Sequence, residues 1–447
     1  MFDSIITSFV ELNKGKDLNL METDLLIIGG GVAALSAAVS AVKNGIENVF
    51  IIEKDKKLGG VLNQCIHSGF GVLTFNEELT GNEYAKKFID LVDSDSIKIF
   101  TDTTALKIEI KNKKVYAVNQ KHGYFKIDFR ALILATGCYE ESVSSIPGSR
   151  PAGVMSAGMA QKFINTNGFL PGSNVVIFGT NIVGLTMARR LTLEGAKVLC
   201  VIENLPYCRG PLRDEYLCIK DFNIPLYYSH TIVRIYGKKR IEKIKVAKVD
   251  KNLKPVKSSE FEIRLDCLLI AKDLIPENNL LSKVKSIKMD KKTGGPLVDQ
   301  NMQTSVPFVF ACGNNVYIHN NADILVKESS LAGKAAANFI KNLKTNKLVK
   351  PNYIKIKFSK HFSFVSPRII NSENLSNITE LYLHPNKVYE NVTISIRVSN
   401  KTILELKKKR LVPSMPEKIV LPNKDLLELN FLKRKEIYVF LEFDINA

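Results

Sequence analysis

Gly29, Gly30 and Gly31, followed by Val32, Ala33 and Ala34, separate the apolar run LLII (25–28) from an Ala-rich segment. Such spacing suits phosphate binding. The first glycine permits a tight turn, the third lets backbone approach a pyrophosphate, and a small residue at Ala34 lets a helix pack closely on a strand. Phosphates then lie over unpaired N–H groups at the helix start, where the dipole favours negative charge. Glu53, with Lys54 beside it, stands 24 positions after Gly29, where an acid accepts hydrogen bonds from ribose hydroxyls. The expected chemistry is capture of the ADP half of a dinucleotide.

The same landmarks recur 150 residues on: Gly179, Gly184, Gly195 and Glu203 repeat Gly29, Ala34, Gly45 and Glu53. A constant offset of this kind predicts a second nucleotide-binding unit. Asn181 departs from it, because its side chain replaces the second glycine, where backbone and pyrophosphate come closest. A nucleotide bound here would be NADH by the charge of Glu203, although Arg209 and Arg213 leave NADPH open. The alternative is a Rossmann lobe kept for packing after losing its ligand.

The elements that must hold these residues are legible. Residues 24–53 read as strand, Gly turn, helix stopped by Gly45, and the strand VFII, a complete βαβ unit; 174–203 read likewise. Beyond a helix predicted at 328–343, alternating segments at 391–399, 401–406 and 436–443 predict a small β domain. The basic runs at 406–413 and 431–436 fit solvated strand edges that resist aggregation, then subunit contact.

A chain of 447 residues, 45% hydrophobic and 24% charged, is an ordinary globular protein of several domains, neither a small binding module nor a disordered chain. Residues 25–42 and 163–188 carry no charge and reach spanning length, yet their glycines and Pro171 read as strand, turn and helix instead of membrane spans. The first twenty residues lack the pattern of a secretory signal and read as a short extension before a domain beginning near Met21. The seven cysteines, Cys65, Cys138, Cys200, Cys208, Cys218, Cys267 and Cys312, are scattered with no C-x-x-C pair. Neither a disulfide framework nor a metal site is expected, and the compartment is cytoplasmic. Of the net charge of +18, +10 lies in residues 341–447, with 20 Lys plus Arg against 10 Asp plus Glu. That face suits an anionic membrane surface, nucleic acid, an acidic partner subunit or plain solvent. Without Trp or an RNA-binding signature, nucleic acid comes last.

TSVPFVFACGN (304–314) resembles the second flavin motif of two-dinucleotide-binding-domain flavoproteins, and LNQCIHSGFG, EELTGNEYA, ATGCYEE, IPGSRPAG, ARRLTLEGAKV and SMPEKIVLP carry a narrower resemblance. They resemble a bacterial family of FAD/NAD(P)-binding oxidoreductases, similar to pyridine nucleotide-disulfide oxidoreductases and related to sarcosine and opine oxidase subunits. That family often accompanies an anaerobic-type glycerol-3-phosphate dehydrogenase, and the resemblance covers nearly all the chain from residue 22. It implies an α/β fold with two Rossmann-like dinucleotide-binding domains, for FAD and NAD(P), plus a small β-rich C-terminal domain. The implied boundaries are 21–150 and 286–345 for the FAD domain, 151–285 for the NAD(P) domain and 346–447 for the basic β domain. Gly29, Gly30, Gly31, Ala34 and Glu53 would hold the ADP half of FAD. Gly60, in the LGG turn after the first acid, and Ala135, Thr136 and Gly137, closing the FAD lobe, would line the same site. Gly313 and Asn314 would lie near the ribityl and pyrophosphate end. The wider superfamily has Asp at the place of Asn314, which can still hydrogen-bond but brings no charge. Lys272 and Asp273 stand where the family has a small residue and Gly.

Disulfide reductases of that superfamily place a C-x4-C pair after the LGG turn. Here Cys65 takes the flavin-proximal place, but the position five earlier is Gly60, so no dithiol can form. Cys65 is then either a lone thiolate beside the flavin with His67 near, the only catalytic candidates, or a buried structural thiol. The implied activity is hydride transfer between NAD(P)H and FAD, with electrons passing to or from a partner protein and a link to glycerol metabolism. The alternative is an electron-relay or structural subunit with a degenerate NAD(P) site. Direct oxidation of a small amine or hydroxy acid finds no recognisable pocket in the sequence.

Overall fold

The computed structural model describes residues 20–141, 146–148, 151–347, 349–375, 378–398, 401–422 and 436–443. The expected N-terminal extension and most of the basic run at 431–436 lie outside them.

Strand β1 (Leu20–Ile28) is central to a parallel sheet, so both its faces must be apolar, and Leu25, Leu26 and Ile27 are fully buried. The Gly turn leads into α1 (Val32–Lys43), which ends at Asn44, with Gly45 at φ 77° donating to the Val42 carbonyl at 2.8 Å. Strand β2 (Val49–Ile52) pairs parallel with β1, Leu25 opposite Val49. Helix α2 (Gly81–Leu91) starts with a Thr80–Glu83 capping box, and β3 (Ile97–Phe100) extends the sheet beyond β2. Strands β4 (Thr104–Glu109), β5 (Lys114–Asn119) and β6 (Gly123–Leu134) form an antiparallel meander. The first part of β6 alternates buried and half-buried residues beside that meander. Its last four residues, Ala131–Leu134, are all buried where it lies between β1 and the returning residues 309–311.

The chain leaves this lobe through β7 (Cys138–Glu140). The second lobe comprises β8 (Val154–Ser156), α3 (Ala157–Asn167), β9 (Asn174–Phe178), α4 (Ile182–Leu193), β10 (Lys197–Ile202) and β11 (Leu226–Tyr227). An antiparallel layer of β12 (His230–Tyr236), β13 (Lys243–Lys248) and β14 (Phe261–Arg264) precedes β15 (Cys267–Ile270). Its parallel sheet runs β8-β15-β9-β10-β11. The return crossing β16 (Leu274–Pro276) pairs antiparallel with β7, Ile275 opposite Tyr139. The first lobe is then completed by β17 (Val309–Ala311), parallel to β6, and α5 (Ala322–Lys344). Helix α5 begins six residues before the expected start because Asn321 caps it, accepting from the N–H groups of Asp323 and Ile324.

The last domain contains β18 (Tyr353–Phe358), β19 (Phe362–Ser366), β20 (Ile369–Asn371), β21 (Ile378–Pro385), β22 (Tyr389–Val398), β23 (Lys401–Leu411), β24 (Glu417–Pro422) and β25 (Glu436–Phe443). Two sheets, β20-β18-β25-β22-β23 and β19-β21-β24, enclose one core that includes Ile356, Leu381, Ile394 and Ile437. Strand β23 runs past the expected 406 because it pairs with β22 as far as Leu411. It is an edge strand, and Lys407 to Arg410 charge that edge.

The uncharged stretch 25–42 is the end of β1 with α1, and 163–188 runs from α3 through β9 into α4. Among the described residues no helix is long and apolar enough to cross a membrane.

Candidate functional site

Gly29 takes φ 116°, and a Cβ there would stand 2.2 Å from the Ala135 carbonyl oxygen, so the turn after β1 tolerates only glycine. Its N–H donates to the Ile52 carbonyl at 2.9 Å, tying the turn to β2. A Cβ on Gly30 would strike the Glu53 side chain at 2.8 Å. Gly31 differs: its φ is −74° and a Cβ would meet nothing within 4 Å. No side chain caps the start of α1, which has no acid in its first turn. Val32, Ala33 and Ala34 are buried, so the helix start presents backbone to the open space beside Gly31. A cradle that a side chain would fill, over an uncapped helix N-terminus, fits a pyrophosphate.

Glu53 is buried, and its carboxylate accepts from Gly30 N at 2.5 Å and Asp55 N at 2.7 Å. Burial raises its pKa, while these two N–H groups and exposed Lys54 favour the charged form. Each carboxylate oxygen keeps a lone pair beyond its backbone donor, which suits ribose hydroxyls. Around the cradle, a Cβ on Gly60 would lie 3.2 Å from Gly31 Cα, and one on Gly313 2.8 Å from Ala33 Cβ. Gly313 therefore abuts the start of α1, and Asn314 follows it. Ala135, Thr136 and Gly137 close the same edge of the sheet, with the Thr136 hydroxyl donating to the Glu277 carbonyl at 2.6 Å.

The second unit reproduces this frame. Gly179 has φ 111°, a Cβ there would stand 2.0 Å from the Ala271 carbonyl oxygen, and its N–H donates to Ile202 at 2.7 Å. A Cβ on Gly184 would reach Ala271 Cβ at 2.6 Å, the close helix-to-strand packing expected of that position. Buried Glu203 accepts from Thr180 N at 3.0 Å, Thr180 Oγ1 at 2.7 Å and Leu205 N at 3.0 Å. The units part at Asn181. Its Oδ1 accepts from Gly184 N at 2.9 Å, capping α4, and its Nδ2 donates to the Lys272 carbonyl. Arg209 pairs with Asp273, and both line a pocket with Gly179, Glu203, Lys272 and Glu141. Thus the helix start left open in the first unit is covered in the second.

Cys65 ends a short 3-10 turn (Gly60–Gln64) and is buried; burial pushes its thiol up to about 12, against a weaker opposing hydrogen bond with Gln161. Its Sγ faces the Val61 carbonyl at 3.5 Å. The His67 pKa is lowered by burial, and its ring lies against Phe70 at 5.3 Å. A thiol held this high is not a nucleophile at neutral pH. All seven cysteines are free.

Asn314, which the sequence singled out, belongs to a polar cluster whose other members, Tyr317, His319 and Glu328, no motif assigns. Asn314 Oδ1 accepts from His319 N at 3.0 Å and lies 3.1 Å from His319 Nδ1. His319 Nε2 is 2.7 Å from Glu328 Oε2, and the Tyr317 hydroxyl donates to Glu328 Oε1 at 2.7 Å. The cluster joins a loop to α5 without periodic spacing, so beyond Asn314 its sequence trace is an isolated His just before a helix and a Glu inside it.

Residues 23–336 match the family model described as pyridine nucleotide-disulphide oxidoreductase. An NADH oxidase of Methanocaldococcus jannaschii is 26% identical over 333 residues, 69% of this chain and 65% of that protein. An opine oxidase subunit of Agrobacterium tumefaciens is 24% identical, covering 66% of this chain and 61% of its own. The chain thus spans less than two thirds of either relative's length. Among solved structures, the thioredoxin reductase of T. acidophilum superposes with a TM-score of 0.58 at 23% identity, over 72% of this chain and 99% of that one. A NAD-dependent persulfide reductase of A. fulgidus covers 90% of this chain and 71% of its own at TM-score 0.54 and 17% identity. These likenesses establish the α/β fold with two Rossmann-like lobes.

Proposed function

The chain belongs to the pyridine nucleotide-disulphide oxidoreductase family, and on that premise we propose that it is an FAD-dependent oxidoreductase that exchanges hydride with NAD(P)H. The observation that carries the reading is the contrast between Gly29, closed by the Ala135 carbonyl, and Gly31, open over an uncapped helix start. The N–H groups of α1 would take the pyrophosphate, Glu53 the ribose hydroxyls, and Gly313 and Asn314 the flavin end. FAD supplies acceptance and return of hydride; the chain orients the reacting rings and keeps water away. In the second lobe Glu203, already braced by Thr180 and Leu205, favours NADH, and Arg209 is engaged by Asp273 instead of being free for a 2'-phosphate. Dithiol chemistry has no support, since Cys65 is buried and Gly60 stands where a second thiol would be needed.

The test is anaerobic stopped-flow mixing of the flavin-loaded chain with NADH and with NADPH. Bleaching of the flavin band by one of them is expected, NADH faster; no bleaching by either sinks the hydride reading. Asn181 and the Arg209–Asp273 pair favour a second reading, an electron-relay subunit whose nucleotide lobe is silent. Under it the flavin is reduced only through a partner. The partner we propose is a glycerol-3-phosphate dehydrogenase, resting on the sequence resemblance alone, with the basic edge strand β23 as a contact. Co-purification of the two chains without NADH-driven bleaching would favour the relay. The free thiols and the need for NAD(P)H fit the cytoplasm.

A further inference from the structure

We propose that His319 and Glu328 are positioning residues that lock Asn314 as a hydrogen-bond donor toward the flavin end of the bound dinucleotide, and that the C-terminal domain forms the wall behind them. The inference rests on the flavin reading and adds residues that no motif assigns.

The hydrogen inventory fixes the geometry. The backbone N–H of His319 donates to Asn314 Oδ1 at 3.0 Å, so that atom must be the amide oxygen. His319 Nδ1 faces two acceptors, Asn314 Oδ1 at 3.1 Å and the Tyr317 carbonyl at 3.0 Å, and so carries hydrogen. Asn314 therefore cannot rotate its amide without setting N–H groups against each other. Its Nδ2 points the other way and donates one hydrogen to Cys138 Sγ at 3.6 Å. Gly313, the residue before Asn314, abuts Ala33 at the start of α1, so Asn314 follows directly on the edge of the pyrophosphate cradle, and its Nδ2 has a second hydrogen beyond the one given to Cys138. An acid at this position would offer an acceptor; a locked Asn314 offers a donor and demands an acceptor oxygen on the ligand.

The ring is in turn held from behind. The His319 and Glu328 side chains are only 2% and 6% exposed, and their 2.7 Å contact confines one proton between Nε2 and Oε2. Tyr317, stacked on His319 with ring centroids 4.0 Å apart, gives its hydroxyl to the other Glu328 oxygen. From the C-terminal domain, His384 stacks on Phe364 at 3.9 Å and meets the Tyr317 ring edge-on at 5.5 Å. The neighbouring Asn320 Nδ2 donates to the Ser414 carbonyl at 2.9 Å.

The experiment is a double-mutant cycle on FAD affinity, read by flavin fluorescence as purified holoprotein is diluted, with visible circular dichroism of the bound flavin alongside. Asn314→Ala and His319→Phe are each expected to weaken FAD binding about tenfold and to change the dichroism. The double variant should bind no worse than Asn314→Ala alone, since His319 acts through Asn314. Glu328→Gln, which keeps shape, should give an intermediate loss and covers the case in which His319→Phe fails to fold. Wild-type affinity in His319→Phe or Glu328→Gln, or additive losses in the double variant, overturns the proposal. A wild-type chain that takes up no FAD overturns the flavin reading and this inference with it.

Discussion

Gly29 and Gly31 are two residues apart and are glycines for different reasons, which substitution can separate. At Gly29 the positive φ and the 2.2 Å approach to the Ala135 carbonyl belong to the fold, so Gly29→Ala should cost more than about 3 kcal/mol and lower the melting temperature of the apoprotein sharply. At Gly31 the backbone suits any residue and a methyl has room. Gly31→Ala should therefore melt like the wild type without ligand, yet bind FAD at least about tenfold more weakly. Equal FAD affinity in that variant would remove the cradle from the site. Cys65 gives a third residue-level outcome. With its thiol pushed up to about 12 by burial, iodoacetamide at pH 8 should label it only after denaturation, and Cys65→Ser should leave flavin reduction within about twofold. The glycines were legible in the sequence because a tight turn and a close approach restrict residue type. The state of Cys65 was not, because it depends on Gly81 behind it, where a Cβ would fall 2.5 Å from Cys65 Cβ, and on Gln161 of the other lobe.

At the scale of elements, the two βαβ units show how one frame can present its helix start or cover it. Strand, turn, helix, strand and terminal acid were readable in both from period and spacing, and so was the departure at Asn181. What spacing could not give was the direction of that side chain: it turns back onto Gly184 N and across to the Lys272 carbonyl. Asn181→Gly should leave α4 nearly as stable, since a glycine N-cap costs only a few tenths of a kcal/mol against Asn. It should also tighten NADH binding about tenfold, measured by fluorescence titration. Unchanged or weaker binding would show that the cap does not compete with the nucleotide. The start of α5 was missed for a related reason, because Asn321 acts through its side chain and carries no hydrophobic period.

At the scale of the whole molecule, the β-rich character of the last hundred residues was legible from alternation, but its contact with the first lobe was not. That contact joins residues far apart in sequence, such as Tyr317 and His384. It leaves a measurable mark on stability. His384 is buried with no partner for Nε2, and burial, helped by His319, lowers its pKa to about 3. Between the ordinary histidine value near 6.5 and that depressed value, the unfolded chain binds the proton and the folded one does not. Stability should therefore fall as pH drops through this window, by at most about 1.4 kcal/mol per pH unit. His384→Phe should flatten that slope in melts recorded from pH 7 to pH 4; an unaltered slope would assign the loss to other groups. The crossings β7 and β16, paired along Cys138–Glu140 and Leu274–Pro276, carry a different kind of consequence. Because exit and re-entry lie side by side, everything between them is a cassette whose two ends already touch. Such a cassette can be excised, exchanged or worn down over evolutionary time while the flanking lobe keeps its strand order. A chain with residues 142–272 replaced by a short linker should still purify yellow. Asn181 in the inserted lobe, where its host has Gly31, is the kind of contrast such independent inheritance would leave.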